Sequence, residues 1–293
     1  MKKLILLSIL LIIGCEEPAI EGCMDESACN YSAIFEKADN SMCMELDCAG
    51  VCGGTCTVCE CAGVCGLLNE GDAVKDIDEN CYETVLIGEQ LWMQENLKTT
   101  KYKNGDEIPS DLSGDEWALI ESGAYSVYDD ESTNADIYGN LYNWYTVDDE
   151  RGLCMEGWHV PTKQEWFTLM IFLDADADSN SLYPQSQIAG GMMKSTGTIE
   201  GGDGLWLSPN EGATNESYFS AIPEGVRLKN NDSQGVYLGG STYSGIGRYC
   251  FYWSQTNNHG TSAFGTSLSS TTSDFGVAAD QKPYGKAIRC LRD

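Results

Sequence analysis

Of the 14 cysteines in this chain, nine lie between Cys23 and Cys65, and only Cys81, Cys154, Cys250 and Cys290 follow them. That crowding decides what the first part of the chain can fold into. Few large apolar residues separate these cysteines, so covalent cross-links must substitute for a buried core. The segment also repeats itself. Asp47-Cys48-Ala49-Gly50-Val51-Cys52-Gly53 returns thirteen residues later as Glu60-Cys61-Ala62-Gly63-Val64-Cys65-Gly66. Cys56 and Cys59 have the spacing of a zinc knuckle, but a zinc ribbon needs a second matching pair. Between Cys48 and Cys65 the other neighbouring cysteines stand one or three residues apart. An odd count leaves one thiol free or paired elsewhere, with Cys81 a candidate, and connectivity cannot be read from spacing.

The N-terminus sets the compartment expected for those thiols. Lys2 and Lys3 precede an apolar run over residues 4–14. The run falls short of the roughly 20 residues a membrane-spanning helix needs and reads as a removed export signal. Gly14 directly before Cys15 resembles the lipobox of bacterial lipoproteins, whose cysteine is acylated and becomes the mature N-terminus. Acyl chains add about 0.8 kcal/mol per buried methylene, so several on one residue anchor a protein to a membrane. Disulfides are therefore expected in the exported chain. Glu16-Glu17 resembles the export signals of surface lipoproteins in Bacteroidetes, and Gly22-Cys23 through Asn30-Tyr31 resembles short Cys-rich modules of such surface proteins. The expected location is the cell envelope, lipid-anchored in the outer membrane and exposed at the surface.

Net charge is -28, and removing the leader deletes two lysines. Phosphate binding rests on Lys and Arg, so nucleic acid is not an expected partner. The expected organisation is a leader over residues 1–14, an acidic Cys-rich stalk over 15–70, a linker over 71–80 and a larger domain over 81–293. Tyr82 to Ile87 and Gln90 to Met93 read as a hairpin around Gly88-Glu89. Tyr142, Trp144 and Tyr145 read as core. Thr162 and Glu165 form a capping box behind Pro161, and Trp166, Leu169, Met170 and Leu173 follow as one apolar helical stripe. From Gly190 to Arg292, glycine and serine with short aromatic runs suit strands and long loops.

Several blocks resemble one family. They are Tyr82-Glu83-Thr84-Val85-Leu86-Ile87-Gly88-Glu89-Gln90-Leu91-Trp92-Met93-Gln94-Glu95-Asn96-Leu97, Tyr138-Gly139-Asn140-Leu141-Tyr142-Asn143-Trp144-Tyr145, Gly157-Trp158-His159-Val160-Pro161-Thr162, and Ala287-Ile288-Arg289-Cys290-Leu291-Arg292-Asp293. In order and content they are similar to the Fibrobacter succinogenes major paralogous domain, across about residues 76 to 293. The resemblance implies an α+β fold, a C-type-lectin-like domain of short strands, two helices and long loops behind the small disulfide-rich module. It also implies a bridge between Cys154 and Cys290. It carries no established activity.

Two surface sites stand out. Asp174, Asp176, Asp178 and Asn180 alternate like the start of a Ca²⁺ loop, although Ser179 replaces the turn glycine and Gln185 the closing glutamate. A solvated acidic loop is the plainer alternative. Tyr252, Trp253, Asn257, Asn258 and His259 combine rings with amides, a set suited to a glycan. His159, inside a family block, reads as structural. No catalytic order of residues is visible, and the paired cysteines that formylglycine-generating oxidases use on a similar fold have no counterpart here. The expected role is a non-catalytic binding or adhesion domain for a glycan or surface protein. An oxidase-related enzyme and a purely structural envelope protein are the alternatives.

Overall fold

The computed structural model describes residues 21–22, 37–38, 73–178, 181–231 and 237–293. The leader, Cys15 and the cysteines between Cys23 and Cys65 lie outside the described residues. The chain divides into two compact units, Met1–Cys59 and Glu60–Asp293. In the first, β1 (Glu21–Gly22) pairs in parallel with β2 (Lys37–Ala38).

The second unit begins earlier than its sequence implies. β3 (Val74–Lys75) pairs with β4 (Cys81–Tyr82), so much of the expected linker is folded. Its turn closes on the buried Asp76, which accepts from Asn80 N at 3.0 Å and from Tyr82 Oη at 2.6 Å. A buried carboxylate is stable only when donors surround it, and here the turn supplies them. Cys81 is itself disulfide-bonded.

β5 (Thr84–Ile87) and β6 (Gln90–Met93) form the expected hairpin, with Leu86 opposite Leu91. Gly88 turns it at φ +65°, a conformation costly for most residues with a Cβ. There follow α1 (Gly114–Leu119), β7 (Tyr125–Ser126), α2 (Thr133–Tyr138), β8 (Leu141–Tyr142), α3 (Trp144–Val147) and β9 (Trp158–His159). α4 (Lys163–Leu173) starts where the capping box placed it. The Thr162 side chain accepts from Glu165 N, and the Glu165 carboxylate accepts from Thr162 N at 2.7 Å. Trp166, Leu169 and Met170 are buried on its inner face, whereas Phe172 is 61 % exposed.

The remainder comprises β10 (Gln185–Ser186), α5 (Ala189–Met193), β11 (Val226–Asn231), β12 (Tyr237–Ser244), β13 (Tyr249–Asn257), β14 (Ser262–Ser269), β15 (Phe275–Gln281) and β16 (Leu291–Arg292). Two four-stranded sheets dominate, ordered β10-β15-β14-β13 and β5-β6-β16-β9. The class is α+β, with five short helices among the described residues where two were expected.

Strand alternation explains the core. Tyr252 joins a cluster with Trp92, Trp166, Phe219 and Phe275, and its ring stacks on Trp166 at 5.5 Å. The next residue, Trp253, points the other way, into a cluster with Tyr82, Tyr102, Tyr142, Trp144 and Ile288. β13 is therefore buried on both faces, and each aromatic contact adds about 0.5–1.5 kcal/mol beyond the area it hides. Lys194 is fully buried between the β14–β15 turn and the neighbouring loop. Its ammonium donates to the carbonyls of Glu211, Ser269 and Thr272, each at 2.8 Å, and so knits three segments together. Burial pulls its pKa down to about 8, which leaves it an ammonium at neutral pH.

Candidate functional site

The aromatic and amide residues nominated from the sequence do not assemble into one platform. Tyr252 and Trp253 are 0 % exposed, and Trp253 Nε1 donates to the Tyr142 carbonyl at 2.9 Å. Neither ring has a face to offer a sugar, because β13 is covered on both sides. Asn257, Asn258 and His259 lie at the tip of the β13–β14 hairpin. Asn258 Nδ2 donates to Ser262 Oγ at 3.0 Å, and Ser262 N to the His259 carbonyl at 3.1 Å. The Asn258 amide and the His259 carbonyl thus close their own turn, while the Asn257 and His259 side chains are exposed.

The acidic loop is likewise occupied with its own backbone. Asp174 caps the end of α4, its Oδ2 accepting from Ser186 Oγ at 2.6 Å and its Oδ1 from Asp176 N at 3.1 Å. Asp178 N donates to the Gln185 carbonyl at 3.1 Å. Among the described residues no three carboxylate, imidazole or thiol groups converge closely enough to hold a metal ion. Asp174, Asp176 and Asp178 thus do not form a calcium cradle by themselves, and Asn180 lies outside the described residues.

Cys154 and Cys290 are joined, with 6.0 Å between their Cα atoms. The bridge ties the segment before β9 to the one before β16. Cys250 is the free cysteine among the described residues, and it is buried. Burial pushes its thiol pKa well above the ordinary range, and the nearby Glu224 reinforces this.

The polar centre of the unit is Arg289, 1 % exposed. Its Nε donates to Asn96 Oδ1 at 2.7 Å, and its Nη1 to the carbonyls of Met93 at 3.1 Å and Phe219 at 2.6 Å. Nη2 donates to the Ser220 carbonyl at 3.1 Å. Beside it the fully buried Glu224 accepts from Phe251 N at 2.6 Å. Desolvation pushes Glu224 up to about 8, against the pull of that bond and of Arg289.

What Arg289 holds is a loop in a costly conformation. Asn215, Tyr218 and Ser220 have φ of 52°, 55° and 56°. Positive φ is tolerable for asparagine but strained for a bulky ring. Asn215 Oδ1 accepts from Ser220 N at 2.9 Å, and Gln94 Nε2 donates to the Tyr218 carbonyl at 2.7 Å. The loop is pinned from both sides, and Tyr218 stands 66 % exposed at its apex. Next to it opens a groove of about 250 Å³, bordered by Leu86, Gly88, Phe172, Met192, Glu216 and Tyr218.

A model of the Fibrobacter succinogenes major domain matches residues 85–292, well over half of the chain. The chain belongs to the Fibrobacter succinogenes major domain family. No curated protein and no solved structure matches it. Arg289, Asn96, Glu224 and the bridged cysteines all lie inside the family domain. Tyr218 and Phe172 carry no signal in the sequence. Phe172 sits one step off the buried stripe of α4, and Tyr218 is marked only by a backbone angle. Arg289 stands in a family block, but its role emerges only from the fold.

Proposed function

We propose that the chain is a lipoprotein of the bacterial cell envelope, acylated at Cys15, whose family domain is a non-catalytic binding module for an extracellular glycan. The Lys2-Lys3 start, the apolar run and Gly14-Cys15 support the anchor. Glu16-Glu17 supports display at the outer surface, and short strands with long loops suit a C-type-lectin-like scaffold. The Cys-rich segment serves as a stalk in this reading.

One observation carries the binding role. A buried arginine spends four hydrogen bonds on holding an irregular loop and its neighbours, and that loop presents an exposed ring. Strained backbone that the surroundings over-determine is a recurrent mark of ligand sites. The rival oxidase chemistry needs an accessible pair of reactive thiols. Here Cys154 and Cys290 are bonded to each other, and the Cys250 thiol is buried with its pKa raised.

The test is retention of the detergent-solubilised full chain on a glycan array, in parallel with calcium and with EDTA. Retention of a defined glycan in both conditions is expected. Loss in EDTA would return the 174–180 loop to the site, and no retention at all would favour a protein partner or a structural envelope role. Separately, Cys15→Ala should abolish acylation and release the chain from membranes.

A further inference from the structure

We propose that the groove between the β5–β6 turn, the end of α4 and the 215–220 loop is the ligand subsite, and that it takes a neutral pyranose chain. Tyr218 and Phe172 are its stacking rings and Glu216 is its hydrogen-bond acceptor. The inference rests on the glycan-binding reading and gives it a location and a ligand class.

These two rings are the most exposed aromatics among the described residues. Phe172 is 61 % exposed on a helix whose opposite face fills the core. It lies over Gly88, where an added Cβ would come within 2.9 Å of its Cδ2. The bare glycine therefore gives that ring a floor. Tyr218 is 66 % exposed at φ 55°. Its ring buries too little to offset that conformation, and bonds elsewhere in the loop hold it. A solvent-facing aromatic in a conformation imposed from beneath is positioned for something outside the chain.

The lining selects the ligand. At about 250 Å³ the groove is smaller than the roughly 300–1,000 Å³ pockets that enclose a whole small molecule. It suits partial burial of a chain that continues past it. Aromatic faces cover the C–H face of a pyranose, and a carboxylate accepts strongly from its hydroxyls. Glu216 is exposed on the lining of the groove, and an apolar peptide or lipid chain would bury that charge without compensation. Glu216 together with a net charge of -28 disfavours uronates and sulfated sugars.

Calorimetry on the detergent-solubilised full chain would use cellohexaose, mannohexaose and chitohexaose as neutral probes and a hexagalacturonate as the acidic one. One neutral probe should bind. Tyr218→Ala and Phe172→Ala should each weaken it by about twofold to tenfold, the scale of one aromatic contact. Tyr218→Phe, which keeps the ring, should retain most of the affinity, and urea midpoints should show that all three variants are folded. Undiminished binding by Tyr218→Ala and Phe172→Ala, with loss in Asn257→Ala or His259→Ala, would overturn the subsite and leave the glycan reading standing. Preference for the hexagalacturonate would overturn the ligand class. Failure of the wild-type chain to bind any glycan on the array or in solution would overturn both.

Discussion

The Arg289 guanidinium donates to the Phe219 carbonyl at 2.6 Å, and its Cζ lies 4.7 Å from the centre of that residue's ring. One side chain thus grips both the backbone and the side chain of a residue 70 positions earlier in sequence. Phe219 also packs edge-on against Trp92 and Tyr252, at 5.7 Å from each. The loop that presents Tyr218 is in this way bolted to the aromatic core. Its shape follows from that core rather than from its own sequence.

Removing the bolt should be severe. Arg289→Met leaves the Met93, Phe219 and Ser220 carbonyls and Asn96 Oδ1 without their donor. A loss of about 3–5 kcal/mol is expected, the scale for deleting one partner of a buried charged network. Arg289→Lys should recover part of this, since an ammonium cannot reproduce the planar fork. Urea unfolding of the two variants beside the wild type measures both.

Glu224 makes stability depend on pH in an unusual direction. Its pKa stands at about 8 in the folded chain against 4.5 as an ordinary carboxyl. The folded state therefore holds a proton that the unfolded state has released throughout that interval. Stability should fall as pH rises from 4.5 to 8, with no further change from this group above it. Glu224→Gln should flatten that slope. Urea midpoints across the interval check it, and an unchanged slope in the variant would sink the assignment.

His159 should act over a neighbouring window. Its Nδ1 lies 2.6 Å from Asp293 Oδ1 and its Nε2 3.0 Å from Glu165 Oε1. Desolvation pulls the imidazole pKa down, but the two carboxylate bonds outweigh it and hold the value above 6.5. The clasp is complete below pH 6.5, weakens from there to the raised value, and is lost above it. Titration of the His159 ring by NMR should show the raised value, and Asp293→Asn should lower it. The ring is partly exposed, so the stability effect should be small and should shrink with salt.

The Cys154–Cys290 bridge spans 136 residues of sequence. Chain entropy assigns such a closure about 5 kcal/mol, an upper figure for what is measured. Cys154→Ser with Cys290→Ser should lower the urea midpoint markedly, and a mass gain of two hydrogen atoms on reduction of this pair should report the bridge in the wild type.

Local features of the fold are legible in the sequence. The hairpin around Gly88, the capping box at Thr162 and Glu165, and the buried stripe of Trp166, Leu169 and Met170 each rest on contacts within a few residues. Propensity and periodicity report such contacts directly. The 71–80 segment is deceptive because its carboxylates look solvated, whereas Asp76 is enclosed by donors from its own turn.

The candidate site is not legible, for the opposite reason. Tyr252 and Trp253 read as a sugar platform, but whether a ring is exposed depends on what covers it, and two packed clusters cover these. Tyr218 and Phe172 carry no mark in the sequence, yet Arg289 pins the loop that presents the first and Gly88 underlies the ring of the second. Sequence alone determined where α4 and the β5–β6 turn begin, and which family the later domain resembles. Tertiary structure decided which aromatic rings remained outside. Burial is a property of long-range contacts, made here by partners such as Arg289 and Met93, 196 residues apart, and no local pattern encodes it.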